Sequence, residues 1–260
     1  MKTPTENQIY AMKYLKVLTR KAKEYALLKE KEKSEKIQQA ELQDFRGLAY
    51  YKQGKSKFEN KDYKGAIRDF DKVIEIDPKF TKAYCSRGSA KAFLQDYTNA
   101  LKDFEKAIEI DPHNEEAWHC SGLAKFNLND CNGAMQDFNK AIEINPLYSD
   151  AYFGRGMTKT NLNDKLGAIQ DFTKTIEICP KEALAYQNRG LANIDLKEYS
   201  GAIQDFNITI KLDPQNAVAY YLRGVAKLNM GDRKNASLDL KEASKLGFTE
   251  ADNLLKEYCK

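Results

Sequence analysis

The sequence has few of the residues from which catalytic and metal sites are most often built. It holds two histidines and five cysteines in 260 residues, and no C-x-x-C pair. No H-E-x-x-H, G-x-S-x-G or glycine-rich phosphate-binding motif occurs in it. We therefore predict that the protein is not an enzyme, needs no metal or cofactor, and has no small-molecule substrate.

Long apolar runs are also missing. No stretch approaches the roughly 20 residues needed to cross a bilayer, and the start, MKTPTENQIYAMKYLKVLTRKAK, has no apolar segment of signal-peptide length. An odd number of cysteines without paired spacing argues against a disulfide framework and favours a reducing compartment. We expect a cytoplasmic protein.

What the sequence has in abundance is repetition. The phrase DFEKAIEIDPHN at 103–114 returns in altered form at 69–80, 137–148, 171–182 and 205–216. Five of the six prolines are spaced 34 residues apart: Pro78, Pro112, Pro146, Pro180 and Pro214. A fixed period of this length is the signature of a solenoid, in which each unit packs on the next.

One unit, residues 81–114, shows how the repeat is built. It contains two stretches with apolar residues at helical spacing. Asp96 stands between them and can cap the second helix, whereas Asp111 precedes a proline and so disfavours further helix. Connections this short predict a helical hairpin.

Six units can be aligned with the proline at position 32, namely 47–80, 81–114, 115–148, 149–182, 183–216 and 217–250. Position 8 is then Gly and position 20 Ala in every unit, while position 4 is aromatic and position 24 is Phe or Leu. Glycine within a helix costs about 1 kcal/mol relative to alanine, so its return indicates that the two helices approach closely. Trp118 stands at position 4, which favours a core role over stacking on a ligand.

Charged and reactive residues recur as well. Position 23 is Asp in all six units, and position 7 is Arg in four of them. We predict a bidentate ion pair between adjoining helices, with an anion-binding site as the alternative. Cys85 and His119 share position 5 in neighbouring units, so a metal site or a nucleophile pair is the alternative to two half-buried side chains.

A large apolar residue at position 4, Gly at 8, Ala at 20, an aromatic at 24 and Pro at 32 resemble the tetratricopeptide repeat. The resemblance covers residues 47–250. It implies an all-α fold, an α-solenoid of six tandem helix-turn-helix units forming a right-handed superhelix. Residues 1–46 would precede it as a basic, lysine-rich helical arm, and residues 249–260 would follow as a C-terminal capping helix.

The resemblance also implies that the first helices line a concave groove, which makes the protein an adaptor that binds a peptide or helix of a partner protein. Positions 5 and 9 are largely apolar or aromatic, and position 13 is Asn in three units. These asparagines could hydrogen-bond the main chain of a peptide, or could be left-handed helix caps. The predicted groove residues are Tyr51, His119, Phe153, Tyr221, Leu123, Met157, Leu191, Val225, Asn127, Asn161 and Asn229.

Residues 9–28 carry a basic amphipathic pattern, with no acidic residue between Glu6 and Glu24. Such a segment could pack on the solenoid, associate with a second copy of the chain, or touch nucleic acid or an anionic membrane. The alternative function is therefore that of a nucleic-acid-associated accessory protein acting through this arm. The predicted contacts are Lys13, Lys16, Arg20, Lys21 and Lys23.

Overall fold

The computed structural model describes the backbone of residues 6–258 and, within residues 6–46, the side chains of only some positions. Every element in the described part is an α-helix, and there are thirteen. The chain divides into two compact units, Met1–Ala83 and Tyr84–Lys260. The helices are α1 (Glu6–Glu59), α2 (Tyr63–Ile76), α3 (Thr81–Phe93), α4 (Tyr97–Ile110), α5 (Glu115–Asn127), α6 (Cys131–Ile144), α7 (Ser149–Asn161), α8 (Lys165–Ile178), α9 (Ala183–Asp195), α10 (Tyr199–Leu212), α11 (Ala217–Asn229), α12 (Arg233–Lys245) and α13 (Glu250–Tyr258).

The first compact unit is dominated by one helix of 54 residues, α1. At 1.5 Å per residue it is about 80 Å long, and no turn interrupts it at residue 46, where the sequence analysis ends the arm. Its C-terminal part packs against α2, where Phe70 is fully buried. The segment of the arm and the first helix of the first repeat are therefore one continuous helix.

The second compact unit is a stack of helical hairpins. α5 packs on α6, α7 on α8, α9 on α10 and α11 on α12, and each second helix also contacts the first helix of the next pair. First helices touch one another too, α5 with α7, α7 with α9 and α9 with α11. α13 packs on α12 and buries Ala251 there. The predicted all-α solenoid of tandem helix pairs is confirmed.

The turn within each hairpin combines a left-handed residue with a helix cap. Asp96 Oδ1 accepts a hydrogen bond from the Asn99 backbone N–H at 3.3 Å, so the predicted cap is confirmed. In the fifth repeat Glu198 takes the aspartate's place and makes no side-chain cap bond. The residues with positive φ directly before the caps are Lys61, Gln95, Asn129, Asn163, Lys197 and Gly231.

Close helix approach explains the glycine at position 8. A Cβ atom added to Gly156 would lie 2.8 Å from the Phe172 ring, and one added to Gly54 would lie 2.6 Å from the Phe70 ring. Both rings are fully buried. In five repeats a phenylalanine ring at position 24 therefore lies against the bare backbone of the glycine, and in the sixth repeat Leu240 takes that place at Gly224.

We expect Gly156→Ala to lower the free energy of unfolding by up to about 2 kcal/mol, because overpacking costs typically 1–3 kcal/mol and the gain in helix propensity offsets about 1 kcal/mol of that cost. Circular dichroism of thermal and urea unfolding measures the change. Gly201→Ala is the matched control, since its Cβ would meet only Asn193, at 3.4 Å. Equal stability of the two variants would contradict the packing account.

Candidate protein-binding face

Each repeat is held by a buried aspartate at position 23. In the fourth repeat, Asp171 accepts hydrogen bonds from Arg155 Nη2 at 2.6 Å and from Arg155 Nε at 2.9 Å. Its carboxylate also lies 2.8 Å from Lys159 Nζ. The predicted bidentate pair between adjoining helices is confirmed, and its cations bind a carboxylate of the protein itself. We call this arrangement the aspartate clamp.

The lysine at position 11 is a member of the clamp that the sequence analysis missed. It follows the arginine by one helical turn, and its recurrence in five repeats was the available signal. Where the arginine is absent, Ser121 Oγ donates to Asp137 at 2.6 Å. The clamp lysines are Lys57, Lys91, Lys125, Lys159 and Lys227.

The arginine also ties its repeat to the preceding one. Arg155 Nη1 donates to Asn139 Oδ1 at 2.6 Å, and Arg223 Nη1 donates to Asn207 Oδ1 at 2.7 Å. Asn139 and Asn207 lie on the second helix of the previous pair. A single side chain therefore joins three helices and sets the orientation of each first helix.

The first helices present an apolar row on one shared surface. Leu123, Met157, Leu191 and Val225 occupy position 9 of α5, α7, α9 and α11, helices that contact one another in succession. Leu123 and Leu191 are each 38% exposed, and Met157 and Val225 are half-buried. We call the common surface of α5, α7, α9 and α11 the first-helix face.

The predicted aromatic residues at position 5 are half-buried and pack on rings within the repeats. Phe153 lies 5.7 Å from the Phe172 ring, and Tyr221 lies 4.7 Å from the Phe248 ring. His119 contacts Phe138 and Tyr148, and in the first compact unit Tyr51 contacts Phe70 and Phe80. In the second compact unit, His119, Phe153 and Tyr221 lie on the same helices as the apolar row.

The asparagines at position 13 are the last residues of their helices and are exposed. Asn127 Nδ2 donates to the Leu123 carbonyl at 2.8 Å, and Asn229 Nδ2 donates to the Val225 carbonyl at 2.9 Å. The residues with positive φ lie two positions later. The left-handed cap is therefore the wrong interpretation for Asn127, Asn161 and Asn229, and the hydrogen-bonding row stays a prediction.

An open cavity of about 310 Å³ lies between α3 and α5. Leu123 and Asn127 line it on the α5 side, and Ser89 and Phe93 line it on the α3 side. Phe93 is 61% exposed. A recess large enough for one apolar side chain therefore borders the first-helix face at α5.

Models of the tetratricopeptide repeat (TPR) match residues 47–80, 81–114, 115–146 and 149–182. Together these matches cover more than half of the chain. The chain belongs to the tetratricopeptide repeat family. TPR proteins are generally non-enzymatic scaffolds, and the repeats support a role as a protein-interaction adaptor.

Solved TPR structures are similar to this chain. A crystal structure of MamA is 27% identical, covers 63% of this chain and 96% of its own, and has a TM-score of 0.56. Pseudomonas aeruginosa pilF is 19% identical, with 83% and 99% covered and a TM-score of 0.74. YrrB, a TPR protein described as having an unusual peptide-binding site, is 21% identical, with 72% and 97% covered and a TM-score of 0.61. The latter two show the fold alone. No curated protein matches the chain.

Cys85 is buried, Cys120 and His119 are half-buried, and all three side chains are uncharged near pH 7. Burial raises the pKa of the Cys85 thiol and of the Cys120 thiol to about 12 each. Burial also lowers the pKa of His119, whose Nδ1 lies 3.5 Å from the Tyr148 hydroxyl. No group of three metal-ligating side chains occurs among the residues that the structure describes. A protonated thiol is a poor nucleophile, which favours the structural interpretation of these residues.

We expect alkylation at pH 8 to spare Cys85 and Cys120. Raising a thiol pKa from 9.0 to about 12 lowers the reactive thiolate fraction about a thousandfold, and that protection is lost only as the pH rises towards the raised pKa. Peptide mass spectrometry after a short iodoacetamide pulse should find Cys179, which is exposed, labelled before Cys85 and Cys120. Equal labelling of Cys85, Cys120 and Cys179 would contradict the expected protection of the first two.

Most of the predicted basic arm lies outside the described side chains. Lys23 is described and is exposed, whereas the side chains of Lys13, Lys16, Arg20 and Lys21 are not. Further along α1, Leu42 and Phe45 are 58% and 72% exposed. None of the described helices combines the length and apolarity needed to cross a membrane.

Proposed function

We propose that this TPR protein is an adaptor that binds an apolar peptide or helix of a partner protein across the first-helix face. The observation that carries the proposal is the apolar row of Leu123, Met157, Leu191 and Val225. Helical repeats of this kind hold partner segments by apolar contacts and by hydrogen bonds to the main chain. The YrrB description supports the same use of a related fold.

Preorganisation supports the proposal physically. The apolar row lies on helices that the aspartate clamps and the buried Phe or Leu side chains at position 24 already hold in place, so binding orders little of the protein. Apolar surface removed from water contributes about 25 cal/mol per Å². The exposed amides of Asn127, Asn161 and Asn229 can add hydrogen bonds at the edge of the same surface.

Replacing Met157 and Leu191 together by Glu should weaken partner capture by at least about tenfold, since each substitution places a charge in an apolar contact. Affinity capture from native lysate with quantitative mass spectrometry compares this variant with the unaltered chain. The matched control carries Leu166→Glu and Leu238→Glu, on α8 and α12, where those leucines are 66% and 59% exposed.

Circular dichroism must show both variants folded. If capture survives the change on the first helices, or is lost equally with the control on the second helices, the face is not the binding surface.

We keep a second function for the arm, because residues 9–23 contain five cations and no acidic residue. It would contact a nucleic-acid backbone, an anionic membrane or a second copy of this chain. Repeating the capture experiment with a chain that lacks residues 1–30, with and without nuclease, distinguishes binding by the arm from binding by the first-helix face. Contacts to nucleic acid should also weaken steeply with salt.

A further inference from the structure

We propose that the first-helix face in the third and fourth repeats selects a segment of a partner protein that carries lysine or arginine beside its apolar residues. The inference rests on the proposed function and adds the charge of the partner. It comes from a second row of side chains, the acidic row, formed by Glu116 and Asp150.

Helical spacing places the acidic row beside the apolar row. On α5, Glu116 is followed at intervals of four and three residues by Cys120 and Leu123, which puts all three on one stripe of the helix. On α7, Asp150 and Met157 stand at the same two positions. Seven residues correspond to about 10 Å along a helix axis, so the two rows run parallel across neighbouring helices.

Glu116 and Asp150 take no part in the ion pairs of the described structure. Both are exposed, and neither forms an ion pair within the described part of the chain. Asp150 accepts one hydrogen bond, from Ser149 Oγ at 3.3 Å. The nearby cations Lys125, Lys159 and Arg155 are bound by the aspartate clamps.

The rest of the face supplies no positive charge. Positions 2, 5, 6, 9, 12 and 13 of the third to sixth repeats contain no lysine or arginine, and the lowered pKa keeps His119 neutral near pH 7. Burial is the largest cause of the raised pKa of Cys120, and the negative charges of Glu116 and Asp150 raise that pKa further. The fields of the two carboxylates therefore converge on the same part of the surface.

The cavity beside this row gives the partner an apolar anchor. It is lined by Leu123, Cys120 and Phe93, among others. Leu123 and Cys120 lie on the same stripe of α5 as Glu116. Packed helices stand roughly 8–10 Å apart, and an extended chain advances about 3.3 Å per residue. Cations about three residues apart in a partner could therefore reach Glu116 and Asp150 while an apolar neighbour enters the cavity.

Acidic residues in the first turn of a helix also stabilise the helix through its dipole. Replacing Glu116 or Asp150 would thus be expected to lower stability whether or not these residues bind a partner. The preference between two peptides of opposite charge is not affected by the dipole, so that preference is the readout.

The experiment measures binding of two fluorescent peptides to the full chain by anisotropy. One peptide alternates lysine with leucine, and the other has the same length with glutamate for every lysine. We expect the lysine peptide to bind about tenfold more tightly and to lose affinity with salt. In the variant carrying Glu116→Lys and Asp150→Lys the preference should reverse.

An unchanged preference in the variant, or equal or absent binding of the two peptides, would overturn the assignment. If both bind equally and Met157→Glu with Leu191→Glu abolishes binding, the proposed function stands and only the charge selection fails. Sedimentation of the unaltered chain at rising concentration should show a monomer. A dimer that the lysine variant dissociates would assign the surface to a second copy and contradict a separate partner.

Discussion

One buried aspartate per repeat is the interaction on which the arrangement of this protein depends. The carboxylate is only 3% exposed in four of the six repeats, and burying a charge is unfavourable unless charged partners are buried with it. Arginine, lysine or both from the first helix supply these partners, and in the fourth, fifth and sixth repeats the arginine also bonds to the second helix of the preceding repeat. The clamp therefore fixes the two helices of a hairpin relative to each other and also the position of the next hairpin. The residues at positions 8 and 24 set the distance between the two helices of each hairpin.

This division of roles separates stability from recognition. Positions that recur in every repeat, such as 8, 20, 23 and 24, are buried and serve the stack. Positions 2, 9 and 13 of the first helices vary along the chain and lie at the surface, where Leu123, Met157 and Asp150 differ in chemistry from one repeat to the next. The recurring residues thus hold a rigid support, and the variable residues form the surface that we propose binds a partner.

Aligning the repeats with one another predicted the fold, because a feature that returns at the same position in each repeat is observed several times in one sequence. The proline spacing indicated the helix pairs, and the glycine at position 8 indicated a close contact that the Phe172 ring makes. The same comparison missed Lys159, although its recurrence at position 11 was visible. It missed Asn139 because the contact of Asn139 with Arg155 joins two repeats, and no local pattern pairs such residues. Burial of the position 5 rings and the cavity at Phe93 also depend on side-chain packing that the sequence does not display. The acidic residues at position 2 occur in only two repeats, so comparison of the repeats does not reveal them.

The most direct test of the account is hydrogen exchange of the full chain, alone and bound to its captured partner. Backbone amides of α5, α7, α9 and α11 should become protected on binding, while those of the second helices α6, α8 and α10 should exchange at unchanged rates. Protection confined to the second helices, or to residues 6–46, would contradict the claim that the first helices form the binding surface.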